Sequence, residues 1–142
     1  MFRFLRLCSF ALSLAASFAM TSCDQDAPTP EAPAESLLVG RWEFIQTSGG
    51  IAGYTTPADP DRKQEIVFGA NGNVEFYLNG GLTTTNSYFT FNATSRNTGQ
   101  PEPFVQYGPD AGSKLRVQQL DASELLLSQD YADGFTYHYI RR

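Results

Sequence analysis

Histidine and cysteine are scarce in this chain of 142 residues, which contains one histidine, His138, and two cysteines, Cys8 and Cys23. Nucleophilic and acid–base catalysis need a nucleophile, a base and an orienting group in register. A single histidine on the predicted outward face of a strand does not provide that set, and it is too few for a zinc site. We therefore expect no enzyme activity, no metal site and no cofactor.

Positive charge is also limited, because ten Lys and Arg residues stand against fifteen Asp and Glu residues, for a formal net charge of −5. Proteins that bind nucleic acid neutralise phosphates with clustered Lys and Arg. Adhesion to anionic lipid needs the same clusters. The composition therefore argues against a nucleic-acid partner and against electrostatic attachment to a membrane.

The first 22 residues have the pattern of a secretory signal peptide. Arg3 and Arg6 precede an uncharged run, Leu7 to Met20, which is too short to span a bilayer. A buried core helix is the alternative, but basic residues confined to the amino-terminal side fit export better.

Cys23 follows this run within the sequence Met-Thr-Ser-Cys at 20–23, which resembles the lipobox of bacterial lipoproteins. In those proteins the cysteine is acylated and becomes the mature amino terminus, so the resemblance implies lipidation, including palmitate, at Cys23. Removal of residues 1–22 takes away two basic and no acidic residues, which changes the net charge from −5 to −7. The acyl chains, rather than the polypeptide, would then hold the protein in the envelope, and we expect the outer membrane. Cleavage after Ala19 would instead release a soluble protein.

Residues 23–36 are predicted to form the lipidated cysteine and a disordered tether, because 24–36 carry three prolines, four carboxylates and no large apolar residue. Residues 37–142 form one predicted all-β domain. Asn71-Gly72 and Asn79-Gly80 are turn signals between apolar runs. The predicted strands are 39–47, 64–68, 73–78, 82–91, 104–107, 114–119, 124–128 and 135–141.

Apolar and polar residues alternate along these strands, which is typical of antiparallel sheets with one buried face. Eight sequential strands favour an up-and-down barrel, which leaves no exposed edge, and a β-sandwich is the alternative. The bulky residues predicted to point inward are Trp42, Phe44, Phe68, Phe76, Phe89, Phe91, Tyr137 and Tyr139. So many large side chains would fill much of a small barrel.

The mature domain resembles the small lipocalin-like lipoproteins of Gram-negative envelopes. Gly40-Arg41-Trp42 matches the G-x-W signature of lipocalins, Gly49-Gly50 follows the first strand, and Asp133-Gly134 precedes alternating aromatic residues. The resemblance covers residues 37–142. The chain lacks the lipocalin T-D-Y motif and carboxy-terminal helix.

This resemblance implies that Gly40, Trp42 and Arg141 form the closed floor of the barrel, with the arginine stacked over the indole. It also implies that the long connection 48–63 covers the opposite, open end. We expect a small hydrophobic or amphipathic ligand at that end, in contact with Tyr54, Phe76 and Tyr137. The alternative is a filled barrel whose loops bind another envelope protein or inhibit an enzyme.

Replacement of Cys23 by alanine should abolish the incorporation of labelled palmitate and move the protein from the membrane to the soluble fraction of a Gram-negative host. The matched control is Cys8→Ala, which removes the other cysteine but leaves the lipobox intact. Unchanged labelling and membrane fractionation of the Cys23→Ala variant would contradict lipidation at this residue.

Overall fold

A computed structural model defines residues 35–108 and 114–142. The predicted signal peptide, the lipobox with Cys23, and the predicted tether as far as residue 34 lie outside the described residues. The elements of secondary structure are α1 (Glu35–Leu38), β1 (Gly40–Gly49), β2 (Tyr54–Pro57), β3 (Gln64–Phe68), β4 (Asn73–Leu78), β5 (Gly81–Thr94), β6 (Pro101–Tyr107), β7 (Lys114–Leu120), β8 (Glu124–Ser128) and β9 (Phe135–Arg141).

All strand pairs are antiparallel, and each strand from β3 to β8 pairs with the next one along the chain. β1 pairs with both β3 and β9, which closes eight strands into a barrel. The predicted all-β, up-and-down barrel is therefore confirmed, and the sandwich alternative is not formed. The ninth strand, β2, was not predicted.

β2 lies within the segment 48–63 that was expected to be one long loop, and that expectation was wrong. Residues 54–56 are Tyr-Thr-Thr, which favour extended backbone. Gly50 and Gly53 have positive φ angles, and the amide of Gly53 donates to the carbonyl of Gly50 at 3.0 Å, so they form a tight turn after β1. β3 pairs with the first half of β1 and β2 pairs with the second half. The β1–β2 hairpin thus extends the barrel wall, and only residues 58–63 remain as a connection.

Large apolar side chains fill the lower part of the barrel, next to the start of β1. The buried core consists of Leu38, Trp42, Ile66, Phe68, Val74, Val105, Leu115, Val117, Leu125 and Leu127. Burial of a single side chain of this size contributes about 1.5 to 3 kcal/mol. This packed region accounts for most of the hydrophobic stabilisation of the domain.

Phe89 and Phe91 lie on the outer surface, contrary to the expectation that they point inward. Tyr88 packs against the core, so Phe89 beside it faces outward, and its side chain is 54% exposed. Phe91 pairs with Phe104 across the strands, and their rings stack with centroids 5.8 Å apart. These phenylalanines form an outer aromatic cluster that is separate from the barrel interior.

Trp42 and Arg141 meet where the first and last strands pair, at the end of the barrel that we call the floor. The guanidinium carbon of Arg141 lies 4.1 Å from the centroid of the Trp42 ring, and the two residues are register partners. The indole nitrogen donates to the carbonyl of Leu38 at 2.8 Å. Arg141 donates to the carbonyls of Val39, at 3.0 Å, and Leu37. One cation therefore joins β9 to the segment that leads into β1.

Gly40 is required at this floor by both its backbone conformation and its surroundings. Its φ angle is +139°, a value that favours glycine. A Cβ atom at this position would collide with the guanidinium of Arg141. The Gly-x-Trp pattern of the sequence therefore leaves space for the arginine that covers the tryptophan.

Replacement of Arg141 by alanine should lower the free energy of unfolding by roughly 2 to 4 kcal/mol, because the cation–π contact is lost and the carbonyls of Leu37 and Val39 lose a charged donor. Urea unfolding at neutral pH measures the effect. Arg142→Ala is the matched control, because its ion pair with Glu43, at 2.8 Å, has an exposed guanidinium and should contribute much less to stability than the contacts of Arg141. Equal effects of the two substitutions would contradict a special role for Arg141.

Candidate functional site

Two β-bulges change the barrel wall at the end opposite Arg141, which we call the mouth. The pairing of β1 with β9 shifts between Phe44 and Gln46, and the pairing of β4 with β5 shifts at Thr83. Phe44 opposes the inward-facing Tyr139, whereas after the bulge Thr47, and not Gln46, opposes Tyr137. Bulges of this kind occur at barrel rims and beside binding sites because they re-aim side chains. The first bulge therefore turns the long polar side chain of Gln46 outward and brings the smaller side chain of Thr47 inward.

A cavity of about 220 Å³ lies beneath the mouth, above the filled part of the barrel. Its lining residues are Phe44, Arg62, Gln64, Glu65, Ile66, Phe76, Tyr77, Leu78, Thr83 and Tyr139. Both bulges contribute to this set, through Phe44 and Thr83. The unfilled part of the barrel therefore lies where the strand pairing is irregular. For comparison, an engineered apolar cavity of about 150 Å³ in another protein accommodates benzene.

Edge-to-face aromatic contacts hold the cavity walls in place. The rings of Phe44 and Tyr139 have centroids 5.6 Å apart and an interplanar angle of 61°. Phe76 makes the same kind of contact with Tyr107, at 5.3 Å and 63°. Such pairs contribute about 0.5 to 1.5 kcal/mol beyond their buried area. The cavity is therefore bounded by rings whose orientations are fixed by packing.

Three tyrosine hydroxyls lie close together inside the upper barrel. Burial raises the pKa of Tyr107 to about 12, and it also raises the pKa values of Tyr137 and Tyr139 above their ordinary value. Electrostatic interaction between Tyr139 and the other two tyrosines adds to the increase in its pKa. These phenols stay neutral across the physiological range, so they act as hydrogen-bond donors and not as bases.

The connection 58–63 forms one side of the rim and is fastened by Asn79. The side-chain oxygen of Asn79 accepts from the amide of Lys63 at 2.8 Å, and its side-chain nitrogen donates to the carbonyl of Asp61 at 3.0 Å. The amide of Asn79 donates to the carbonyl of Lys63 at 2.8 Å. These reciprocal bonds hold Arg62 at the edge of the cavity.

A second, more open concavity of about 620 Å³ lies on the β1–β2 hairpin above the mouth. It is lined by Thr47, Gly49, Gly50, Ile51, Ala52, Tyr54, Thr56, Asp133 and Phe135. Tyr54 is the register partner of Gly49, and Gly49 also opposes Phe135, so these residues share the face that continues the inner wall. We call this surface the hairpin groove.

The three predicted ligand contacts occupy different places. Tyr54 lies in the hairpin groove with 76% of its surface exposed, and Phe76 lines the cavity. Tyr137 packs against the core on the inner wall and lines neither concavity. Arg62 and Phe135 were not predicted, although the β-favouring Tyr-Thr-Thr at 54–56 was a signal for the strand that forms the groove.

The single histidine of the chain lies on the outer wall of the barrel. His138 faces outward opposite Gln46, and its Nε2 atom, 3.6 Å from Glu124 Oε1, is buried without a hydrogen-bond partner among them. In residues 35–108 and 114–142 no three His, Cys, Asp or Glu side chains are grouped as a metal site. Over the same ranges, no helix has the length and hydropathy to cross a membrane.

Comparison with known proteins found no matching family model, no matching curated protein and no matching solved structure.

Replacement of Gly49 by alanine should loosen the β1–β2 hairpin. The φ angle of Gly49 is +121°, and an added Cβ would meet the backbone of Gly134 and, at 3.1 Å, that of Phe135. We expect a loss of about 2 to 4 kcal/mol and faster hydrogen exchange at the amides of β2.

The control is Gly53→Ala, because Gly53 also has a positive φ, +64°, but an added Cβ would have no neighbour within 4 Å. This substitution should cost only about 1 kcal/mol of backbone strain. Equal exchange rates in the two variants would show that contact with β9 does not position the hairpin.

Proposed function

We propose that this protein is a membrane-anchored, lipocalin-like lipoprotein that binds a small hydrophobic or amphipathic molecule at the mouth of its barrel. The observation that carries the proposal is the contrast between the packed lower barrel and the cavity beneath the mouth, walled by Phe44, Phe76 and Tyr139. Binding sites for small molecules are concave, mainly apolar and supplied with a few polar groups.

The hairpin groove supports the same proposal because it continues the inner wall above the cavity. Tyr54 and Phe135 are large apolar groups that water contacts freely, with exposed fractions of 76% and 42%. A ligand longer than the cavity would cover them and remove apolar surface from water, at about 25 cal/mol for each Å². The two concavities together suit an elongated molecule better than either one alone.

Anchoring at Cys23 would direct this site away from the membrane. The chain enters the barrel at Leu37 and Leu38, beside Arg141 on the floor, and the cavity lies at the other end. A tether of this composition extends about 3 Å for each residue. The binding end would therefore face the aqueous compartment, where a diffusing ligand or a partner can reach it.

Leu78→Trp tests the proposal, because Leu78 lines the cavity and the larger indole would occupy it. The affinity for the fluorescent probe N-phenylnaphthylamine should fall at least tenfold, which corresponds to about 1.4 kcal/mol. Probe fluorescence and native mass spectrometry of the chain lacking residues 1–22 provide the measurements.

Leu82→Trp is the matched control, because Leu82 is 56% exposed and does not line the cavity. It should bind the probe as the unaltered protein does. If the unaltered protein binds neither the probe nor any co-purified lipid, the ligand-binding proposal is wrong.

The alternative, a protein-interaction or inhibitor module, is favoured by one observation. Ile51 at the tip of the β1–β2 hairpin is 93% exposed. Exposed apolar residues of this kind are typical of contact surfaces when they occur in groups, and Tyr54 and Tyr131 are exposed as well. If the protein is an interaction module, Ile51→Asp should abolish binding of the partner protein and Leu78→Trp should not. If it binds a small ligand, Leu78→Trp should weaken binding of the probe and Ile51→Asp should not.

A further inference from the structure

Tyr139 contributes to the cavity lining a phenol whose hydroxyl has no hydrogen-bond partner among the described residues. Its ring is held edge-on against Phe44, and Tyr139 lines the cavity. Within residues 35–108 and 114–142, no hydrogen bond involves this hydroxyl, and the rings of Phe44 and Phe76 belong to the same lining. A phenol at a cavity wall that has no protein partner is available to donate to an acceptor on a bound molecule.

The charge of the cavity lining limits the chemical class of the molecule that this hydroxyl can bind. The lining contains one cation, Arg62, and one anion, Glu65, so it carries no net charge. Arg62 is exposed at the rim, whereas Glu65 is nearly buried and is paired with Arg41 at 3.3 Å and with Lys63 at 3.4 Å. Among the described residues, the one cation of the lining is therefore at the solvent-exposed rim, where water screens its attraction for an anionic ligand.

The raised pKa values of the tyrosines indicate that the barrel interior disfavours a negative charge. Burial raises the pKa of Tyr139 and of its neighbours Tyr107 and Tyr137, because the surroundings solvate a phenolate poorly. The same desolvation would penalise a carboxylate placed at this depth. A neutral oxygen acceptor incurs a far smaller penalty and still accepts the hydrogen bond of the phenol.

From this geometry we propose that the cavity selects compact, uncharged, mainly apolar molecules that carry a carbonyl or ether oxygen, and that the Tyr139 hydroxyl donates a hydrogen bond to that oxygen. This inference rests on the proposed function and specifies its ligand class. The cavity volume of about 220 Å³ suits a single substituted ring or a short chain, with any longer portion lying in the hairpin groove.

Three molecules of nearly the same shape separate the possibilities: acetophenone, which carries a carbonyl oxygen; α-methylstyrene, which has a methylene group in its place; and benzoate, which is an anion. Their dissociation constants are measured at pH 7 by chemical-shift titration of the chain lacking residues 1–22, with Cys23→Ser. Because the probes differ in water solubility, the informative quantity is the change in each constant caused by substitution of Tyr139.

Tyr139→Phe should weaken the binding of acetophenone about fivefold to tenfold, which is the effect of losing one hydrogen bond of about 1 to 1.4 kcal/mol. The same substitution should leave the binding of α-methylstyrene unchanged. Benzoate should bind more weakly than acetophenone to the unaltered protein. Removal of an unpartnered hydroxyl should not lower the free energy of unfolding, which urea unfolding checks. The control Tyr88→Phe loses a hydroxyl that is bonded to the Gly69 carbonyl at 3.0 Å and lies outside the cavity lining, so it should alter neither probe.

The results distinguish this inference from the proposed function. If α-methylstyrene binds and Tyr139→Phe weakens acetophenone no more than the hydrocarbon, the cavity binds ligands but does not use this hydroxyl, and the inference is overturned. Tighter binding of benzoate than of acetophenone overturns it as well. If none of the three molecules binds and N-phenylnaphthylamine does not bind, the proposed function fails together with the inference.

Discussion

The contact between Arg141 and Trp42 is the constraint on which the rest of the structure depends. An eight-strand meander becomes a barrel only if its first and last strands pair, and these two residues meet at the start of that pairing. The guanidinium also serves the carbonyls of Leu37 and Val39, which would otherwise be left without donors as the chain enters the barrel. Gly40 permits this arrangement because it has no side chain in the space that the guanidinium occupies.

Closure by this contact explains why the candidate site lies at the opposite end. The floor is filled by Trp42, Leu38 and Phe68, whose side chains are essentially inaccessible to solvent. Towards the mouth the packing gives way to a cavity, and the bulge after Phe44 places Thr47 where a regular strand would place Gln46. A small inward side chain leaves space that a long one would occupy. The tightly packed layer and the candidate binding layer are therefore different parts of the same barrel.

Alternation of apolar and polar residues was sufficient to predict the barrel, because each buried strand face repeats every second residue. The alternation pattern failed in β5, because Tyr88, Phe89 and Phe91 place aromatic rings on both faces of this strand. The order of residues alone therefore does not identify which face points into the barrel. It also did not reveal the bulge within Phe44-Ile45-Gln46, since a bulge leaves no mark in composition. After this bulge, the residues of β1 that point into the barrel are displaced by one position along the chain.

The same two causes explain where the structure places the residues that were predicted as ligand contacts. Phe76 lies before any irregularity of its own strand, so parity placed it correctly on the inner wall of the cavity. Tyr54 was assigned to a loop, whereas it belongs to β2, where pairing with Gly49 puts it in the hairpin groove. Arg62 reaches the rim only because Asn79 fixes the connection 58–63, and no local pattern in the sequence records a contact between segments so far apart.

Strand β9 links the two ends of the barrel physically. Its inward residues run from Arg141 at the floor, through Tyr139 in the cavity and Tyr137 on the wall, to Phe135 in the hairpin groove. A ligand bound beside Tyr139 would contact the strand that closes the barrel, two residues from the closing cation. Because such a ligand binds only the folded state, its binding free energy adds to that of closure. Occupancy of the mouth and integrity of the floor are then coupled through one strand, although the ligand does not contact Trp42 or Arg141 directly.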